Sequence, residues 1–111
     1  MNTTVLELNQ MPIGYIKTAN SFADRFKGLM LCEESDASFV LALSPCKQIH
    51  TFFMRFPIDV VYCDRSGFVI EIHRQVEPWK VDKYVTGAYH AIEATANTFL
   101  KDVRIGDVMH F

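Results

Sequence analysis

Apolar and polar residues alternate along "TTVLELN" (residues 3–9) and again along "IGYIKTA" (13–19). That period of two marks half-buried strands, and the turn joining them is expected at Met11-Pro12. The spacing changes in "NSFADRFKGLM" (20–30), where Phe22, Phe26, Leu29 and Met30 recur at helical intervals with Asp24, Arg25 and Lys27 opposite them. This predicts a short amphipathic helix, capped by Asn20 or Ser21 and ended near Gly28. After the polar loop "CEESDAS", "FVLAL" (39–43) reads as a buried strand that stops at Ser44-Pro45.

"IDVVYCDRSGFVIEIHRQ" (58–75) predicts a hairpin, because two runs of β-branched and aromatic residues flank a turn sequence. A loop of two residues would set Val60 beside Glu71. A loop of three, Arg65-Ser66-Gly67, sets Val60 beside Ile72 and Tyr62 beside Ile70. The longer loop is expected, since it gathers Ile58, Val60, Tyr62, Phe68, Ile70 and Ile72 on one apolar face and puts Gly67 where a left-handed residue is needed. The same register places Asp59 opposite His73, where the carboxylate would raise the imidazole pKa. Further on, "VEPWKV" reads as a turn, "AYHAIEA" as a strand, "TANTFLKDV" as a helical turn and "IGDVMHF" as a turn and closing strand. Sequential hairpins predict a mainly β, small barrel-like or roll-like antiparallel fold with one or two short helices, in a single domain over residues 1–111.

Composition narrows the class. The 111 residues are 50% hydrophobic and 13% aromatic, enough for one core, and 13 acidic against 11 basic residues give a net charge of -2. Without clustered Lys and Arg no nucleic-acid partner is expected. No run reaches a membrane span of roughly 20 residues, and "MNTTVLELNQMP" lacks a secretory signal pattern, so a cytoplasmic chain without a membrane partner is expected. Cys32, Cys46 and Cys63 form no CxxC pair and are expected as reduced thiols, Cys63 within the core.

The chemistry concentrates in "IHTFFMRFPIDVVYCD" (49–64). Cys46, His50 and Met54 would stack as soft metal ligands on a helix, but Pro45 and Pro57 bracket an extended stretch, so no metal and no cofactor is expected. No GxSxG, HExxH, P-loop or GxGxxG occurs. A binding site built from His50, Met54, Arg55, Asp59, His73 and Trp79 fits better: Arg engages anions bidentately, Trp offers a flat face, and His titrates near neutrality. The bland alternatives are Asp59 serving turn amides and Trp79 plugging the core.

"FKGLM", "PCKQIHTFFMRFPIDVVYCDRSGFVIEI", "EPWKV" and the late "GD" together resemble the prokaryotic family called domain of unknown function 192, over roughly residues 19–111. The resemblance implies a compact β-rich, barrel-like fold with short helices and no established reaction, substrate or cofactor. Gly28, Leu29 and Met30 match its "GLM" element, His50, Met54, Pro57 and Asp59 the central one, Trp79 the "PW" element, and Gly106 and Asp107 the "GD". The chain departs at "IEATAN" (92–97), where relatives carry "LELPAG": Glu93 keeps the acid, Thr95 replaces the Pro, and Asn97 replaces the Gly. The leading expectation is a binding or accessory module for a small polar ligand or protein partner. An enzyme using His50 and Asp59, or a structural module dimerising through a sheet edge, are the alternatives, with a monomer or homodimer in either case.

Overall fold

The computed structural model of the chain describes residues 2–19 and 39–111. Seven strands follow one another: β1 (Asn2–Leu8), β2 (Met11–Thr18), β3 (Val40–Leu43), β4 (Ile58–Cys63), β5 (Val69–Val76), β6 (His90–Thr95) and β7 (Met109–His110). They form one curled sheet in the order β5-β4-β6-β3-β2-β1-β7, with the β2–β3 pair parallel and every other pair antiparallel. The two ends of the sheet meet, because Phe68 bridges Val108. There Val69 N donates to Asp107 O (2.8 Å) and Met109 N to Gly67 O (2.9 Å). This is the barrel-like β fold that the strand pattern predicts, with one parallel pair added. No helix occurs among the described residues. The expected helix at 20–30, Cys32 and the "GLM" element lie outside the described residues.

Both faces of the sheet are covered. Inside the curl, a core drawn from all seven strands includes Leu6, Ile16, Val40, Val61, Cys63, Val69, Ile92 and Met109, with Leu100 and Val103. On the outer face of β3, β4 and β6 a second core forms from Leu41, Leu43, Ile58, Val60, Tyr62 and Ala91 under Ile49, Met54, Phe56, Val85 and Ala88. All six residues of β4 are therefore buried, as a central strand covered on both sides must be. Each fully buried aliphatic side chain contributes about 1.5–3 kcal/mol. Burial within this packing pushes the Cys63 thiol pKa up to about 12, which keeps it an inert core residue.

Several turns depart from the sequence reading. The β1–β2 turn is Asn9-Gln10, not Met11-Pro12: both residues have positive φ (51° and 71°), and Met11 already pairs with Leu8. Two left-handed residues make the primed type of turn whose twist matches the strands, and Asn tolerates that backbone. "TANTFLKDV", where a helical turn is expected, forms successive turns, Lys101 N donating to Thr98 O and Val103 N to Leu100 O.

The β4–β5 loop has the predicted three residues. Asp64 N donates to Phe68 O, Gly67 N donates to Asp64 O, and Gly67 has φ +95°. The register then slips twice. Cys63 pairs with Val69 but Tyr62 with Glu71, leaving Ile70 as an extra residue; Val60 pairs with His73 but Ile58 with Val76, so Arg74 and Gln75 together oppose Asp59. These bulges overturn the single apolar face proposed for the hairpin, since Ile72 packs inside the curl and Ile70 on the outer core. They also overturn the Asp59–His73 pair. His73 shares the outer face with Val60, while Asp59 lies on the inner face beside Leu100 and Val103.

Candidate functional site

Two loops that fold over the outer core carry the aromatic residues singled out in the sequence. Thr51, fully buried, ties them together. Its backbone N donates to Lys80 O (2.8 Å) and its carbonyl accepts from Trp79 N (2.9 Å). Its hydroxyl accepts from Lys80 N (2.8 Å) and donates to Glu77 O (2.6 Å). His50 pairs with Val81, Asp82 N donates to Ile49 O, and Val85 N to Lys47 O. Residues 77–85 thus run as a strap along residues 47–51, held by backbone bonds rather than by a long ladder.

This clamp presents a platform. His50 stacks on Phe52 (centroids 5.1 Å), Phe52 lies 6.2 Å from Trp79, and Phe53 lies 4.7 Å from Trp79. Phe52, Phe53 and Trp79 are 37%, 49% and 59% exposed, with Val81 exposed beside them. Phe53 (φ 62°) and Trp79 (φ 67°) both hold left-handed backbone, which costs a bulky residue roughly 1–2 kcal/mol. Strain of this kind persists only where surrounding structure imposes it. The Thr51 bonds supply that constraint. Trp79 is therefore a displayed side chain and not a core plug.

A polar row runs along the edge of the outer core. His73 stands between two carboxylates: Nδ1 faces Asp82 Oδ2 at 2.6 Å, and Nε2 is bonded to Glu71 Oε2. The Tyr62 hydroxyl donates to the same Asp82 oxygen (2.8 Å), and the Tyr62 and His73 rings meet edge-on. Partial burial by itself would lower the His73 pKa, but the hydrogen bonds to Asp82 and Glu71 outweigh it and hold the pKa above the ordinary value. The expected direction is therefore present, with Asp82 and Glu71 as its cause in place of Asp59. The Tyr62 pKa is raised by burial and by Asp82. Next to this row, and buried, is Glu93, whose carboxyl burial pushes up to about 8, with the Asp82 charge adding to the effect.

Asp59 serves a different purpose. Its Oδ1 accepts from Gln75 N (3.1 Å) and its Oδ2 from Asn97 N (3.0 Å) and Arg74 Nη1 (3.1 Å). Arg74 continues to Leu100 O (2.6 Å) and Val103 O (2.7 Å). One buried carboxylate thus fastens the β5 bulge and the turn after β6 to the central strand. Asn97 has φ 61°, so the left-handed turn survives the replacement of Gly by Asn.

The six residues singled out in the sequence consequently separate. His50 and Trp79 meet at the platform, and exposed Arg55 follows Phe53 in the same loop. Met54 is buried in the outer core. His73 belongs to the polar row, and Asp59 is in the clasp on the other face. Tyr62, Glu71, Asp82 and Glu93 were not singled out as site residues. An acid inside the apolar strand "HAIEAT" was the available signal for Glu93, whereas Asp82 is brought to His73 only by the path of the strap. A separate groove lined by Leu8, Ile13, Thr98, Phe99, Lys101 and Asp102 contains none of these residues. No helix among the described residues is long and apolar enough to cross a membrane.

Comparison with known proteins agrees with the architecture. The DUF192 family model, described as "Uncharacterized ACR", matches residues 4–111. The chain is 33% identical over 99 residues to a UPF0127 protein of Thermococcus sibiricus, covering 85% of this chain and 64% of the relative. It is 28% identical over 102 residues to a UPF0127 protein of Thermococcus gammatolerans, covering 86% of this chain and 65% of that one. It therefore spans less than two-thirds of the length of these curated relatives. Among solved structures, a protein of unknown function from Novosphingobium aromaticivorans superimposes with a TM-score of 0.80 at 14% identity, over 98% of this chain and 85% of that one. At that identity the likeness concerns the fold.

Proposed function

We propose, from the premise that this chain belongs to the DUF192 family, that it is a small binding module whose His50–Phe52–Phe53–Trp79 platform docks a protein partner. One observation carries the reading. Exposed aromatic side chains are held in strained left-handed backbone beside a buried threonine that ties the two loops together. A pre-organised aromatic cluster loses little side-chain freedom on association, and aromatic anchors dominate binding energy at protein interfaces. Exposed Lys80 and Arg55 flank the aromatic residues and supply the polar rim that such interfaces carry.

The enzymatic alternative based on His50 and Asp59 has less support. His50 Nδ1 accepts from Phe52 N (3.2 Å), Asp59 is committed to the clasp, and the two share none of these partners. The test is photo-crosslinking in the cells from which the chain comes, with a photoreactive phenylalanine analogue at Phe53 and, as control, at Tyr15 on the β1–β2 hairpin. A discrete adduct at position 53 that is absent at 15 and lost on Trp79→Ala supports the module. No adduct at 53, or the same adducts at both positions, overturns it.

A further inference from the structure

Ala91, Glu93 and Thr95 share the outer face of β6, with Glu93 opposite Val60 and Leu41, and Thr95 opposite Ile58. Glu93 is 1% exposed, Thr95 is buried as well, and Glu93 Oε1 and Thr95 Oγ1 have no hydrogen-bond partner among the described residues. Native folds rarely leave buried polar atoms unsatisfied, and here two occur on one strand face, two residues apart, about 6.6 Å along the strand. Something that donates hydrogen bonds completes such a pair.

The surroundings select the donor. Asp82 on the strap acts on Glu93, Glu93 in turn acts on Tyr62 of β4, and the Tyr62 hydroxyl is already spent on Asp82. Beyond them lie His73 and Glu71 on β5, and Cys46, which acts on Tyr62. Counted together, the carboxylates of Asp82 and Glu71 already outnumber the one imidazolium before Glu93 ionises. Anions are thus disfavoured. The neighbouring side chains Leu41, Ile58 and Val60 are apolar. No group of three or more His, Cys, Asp or Glu is arranged to hold a metal ion among the described residues.

We propose that Glu93 and Thr95 bind the head of a small organic cation, its ammonium N–H groups donating to Glu93 Oε1 and Thr95 Oγ1 and its short apolar body lying against Leu41, Ile58 and Val60. This site is separate from the aromatic platform and does not depend on partner docking there. Entry requires the cover over this face to part, because Glu93 is buried. With its pKa pushed up to about 8, the Glu93 carboxyl is mostly neutral at pH 7. Cation binding then expels that proton, so apparent affinity falls about fivefold from pH 8 to 7 and about tenfold from pH 7 to 6.

The probe is n-butylammonium chloride, titrated into protein carrying 13C-labelled glutamate while the Glu93 carboxyl resonance is followed at pH 6, 7 and 8. The expected result is a saturable shift with binding about tenfold tighter from pH 6 to 7 and about fivefold tighter from pH 7 to 8, lost in Glu93→Gln and weakened in Thr95→Val. Sodium butyrate at equal concentration leaves the resonance in place. A resonance that butylammonium does not move, as a merely water-filled gap requires, overturns the proposal. So does an equal shift with butyrate, or binding retained in Glu93→Gln. Should Glu93→Gln fail to fold, the wild-type pH series decides, and a pH-independent affinity overturns the proposal.

Discussion

Replacing Asp59 by Ala removes the acceptor for two backbone N–H groups, Gln75 and Asn97, and for Arg74 Nη1. Each stranded N–H costs about 1–3 kcal/mol when it is kept from water. The Arg74 contribution is smaller: its side chain is 37% exposed, so solvent screens the pair to roughly 0–1 kcal/mol. The sum is about 2–7 kcal/mol, a large part of the roughly 5–15 kcal/mol that stabilises a domain. With a urea slope of about 1–3 kcal/mol/M, the unfolding midpoint falls by roughly 2 M. Asp59→Asn keeps one acceptor oxygen but turns an amide NH2 toward a donor, so it loses about 1–3 kcal/mol. Arg74→Met gives up the bonds to Leu100 O and Val103 O as well as the Asp59 pair and loses about 1–3 kcal/mol. Urea unfolding followed by circular dichroism gives all three values. A loss below about 1 kcal/mol in Asp59→Ala would show that the clasp does not hold the β5 bulge to the turn after β6.

Gly67→Ala is expected to destabilise by about 3 kcal/mol or more, because a Cβ there would lie 2.2 Å from Met109 O at the barrel seam. Gly106→Ala, with φ +96° but nothing within 4 Å, loses only the backbone strain of about 1–2 kcal/mol; equal losses in thermal unfolding would contradict the seam. Thr51→Val strands Lys80 N and Glu77 O and lowers stability by about 1–3 kcal/mol, whereas Trp79→Ala stays within about 1 kcal/mol; the reverse order in urea would remove the clamp. Stability falls as pH rises. The raised His73 pKa gives a contribution that is complete below about pH 6.5 and lost as pH passes the folded value. The Glu93 carboxyl, neutral in the fold up to about 8 but ionised above about 4.5 when unfolded, adds a fall over that interval. Urea midpoints from pH 5 to 9 should decline in the wild type and decline less steeply in Glu93→Gln, where only the His73 contribution remains; a rising profile refutes both assignments.

The strands were readable because their apolar runs are bounded by turn residues, and the three-residue loop because Gly67 satisfies a left-handed position. The bulges at Ile70 and at Arg74-Gln75 were not, since a period-two reading assumes an unbroken ladder and an inserted residue leaves no compositional mark. That single omission carried Asp59 to the wrong partner. An unbroken ladder also puts Tyr62 and Ile72 on one face, whereas β4 is covered on both sides and the bulge sends Ile72 to the inner core. Trp79 and His50 were legible as unusual residues, but their meeting depends on Thr51, a residue without any signal of its own. Asp82 reaches His73 by tertiary folding of the strap, and Glu93 stood out only as a lone acid within an apolar strand.

Trp79 is the single tryptophan, so its fluorescence reports on the platform without competing signals. In the isolated protein the account predicts solvent-exposed emission that acrylamide quenches readily. Adding the partner purified through the Phe53 adduct, with its own emission subtracted, should shift the Trp79 emission to the blue and protect it from acrylamide, in wild type but not in Thr51→Val. Emission and quenching unchanged by that partner would contradict docking at the platform.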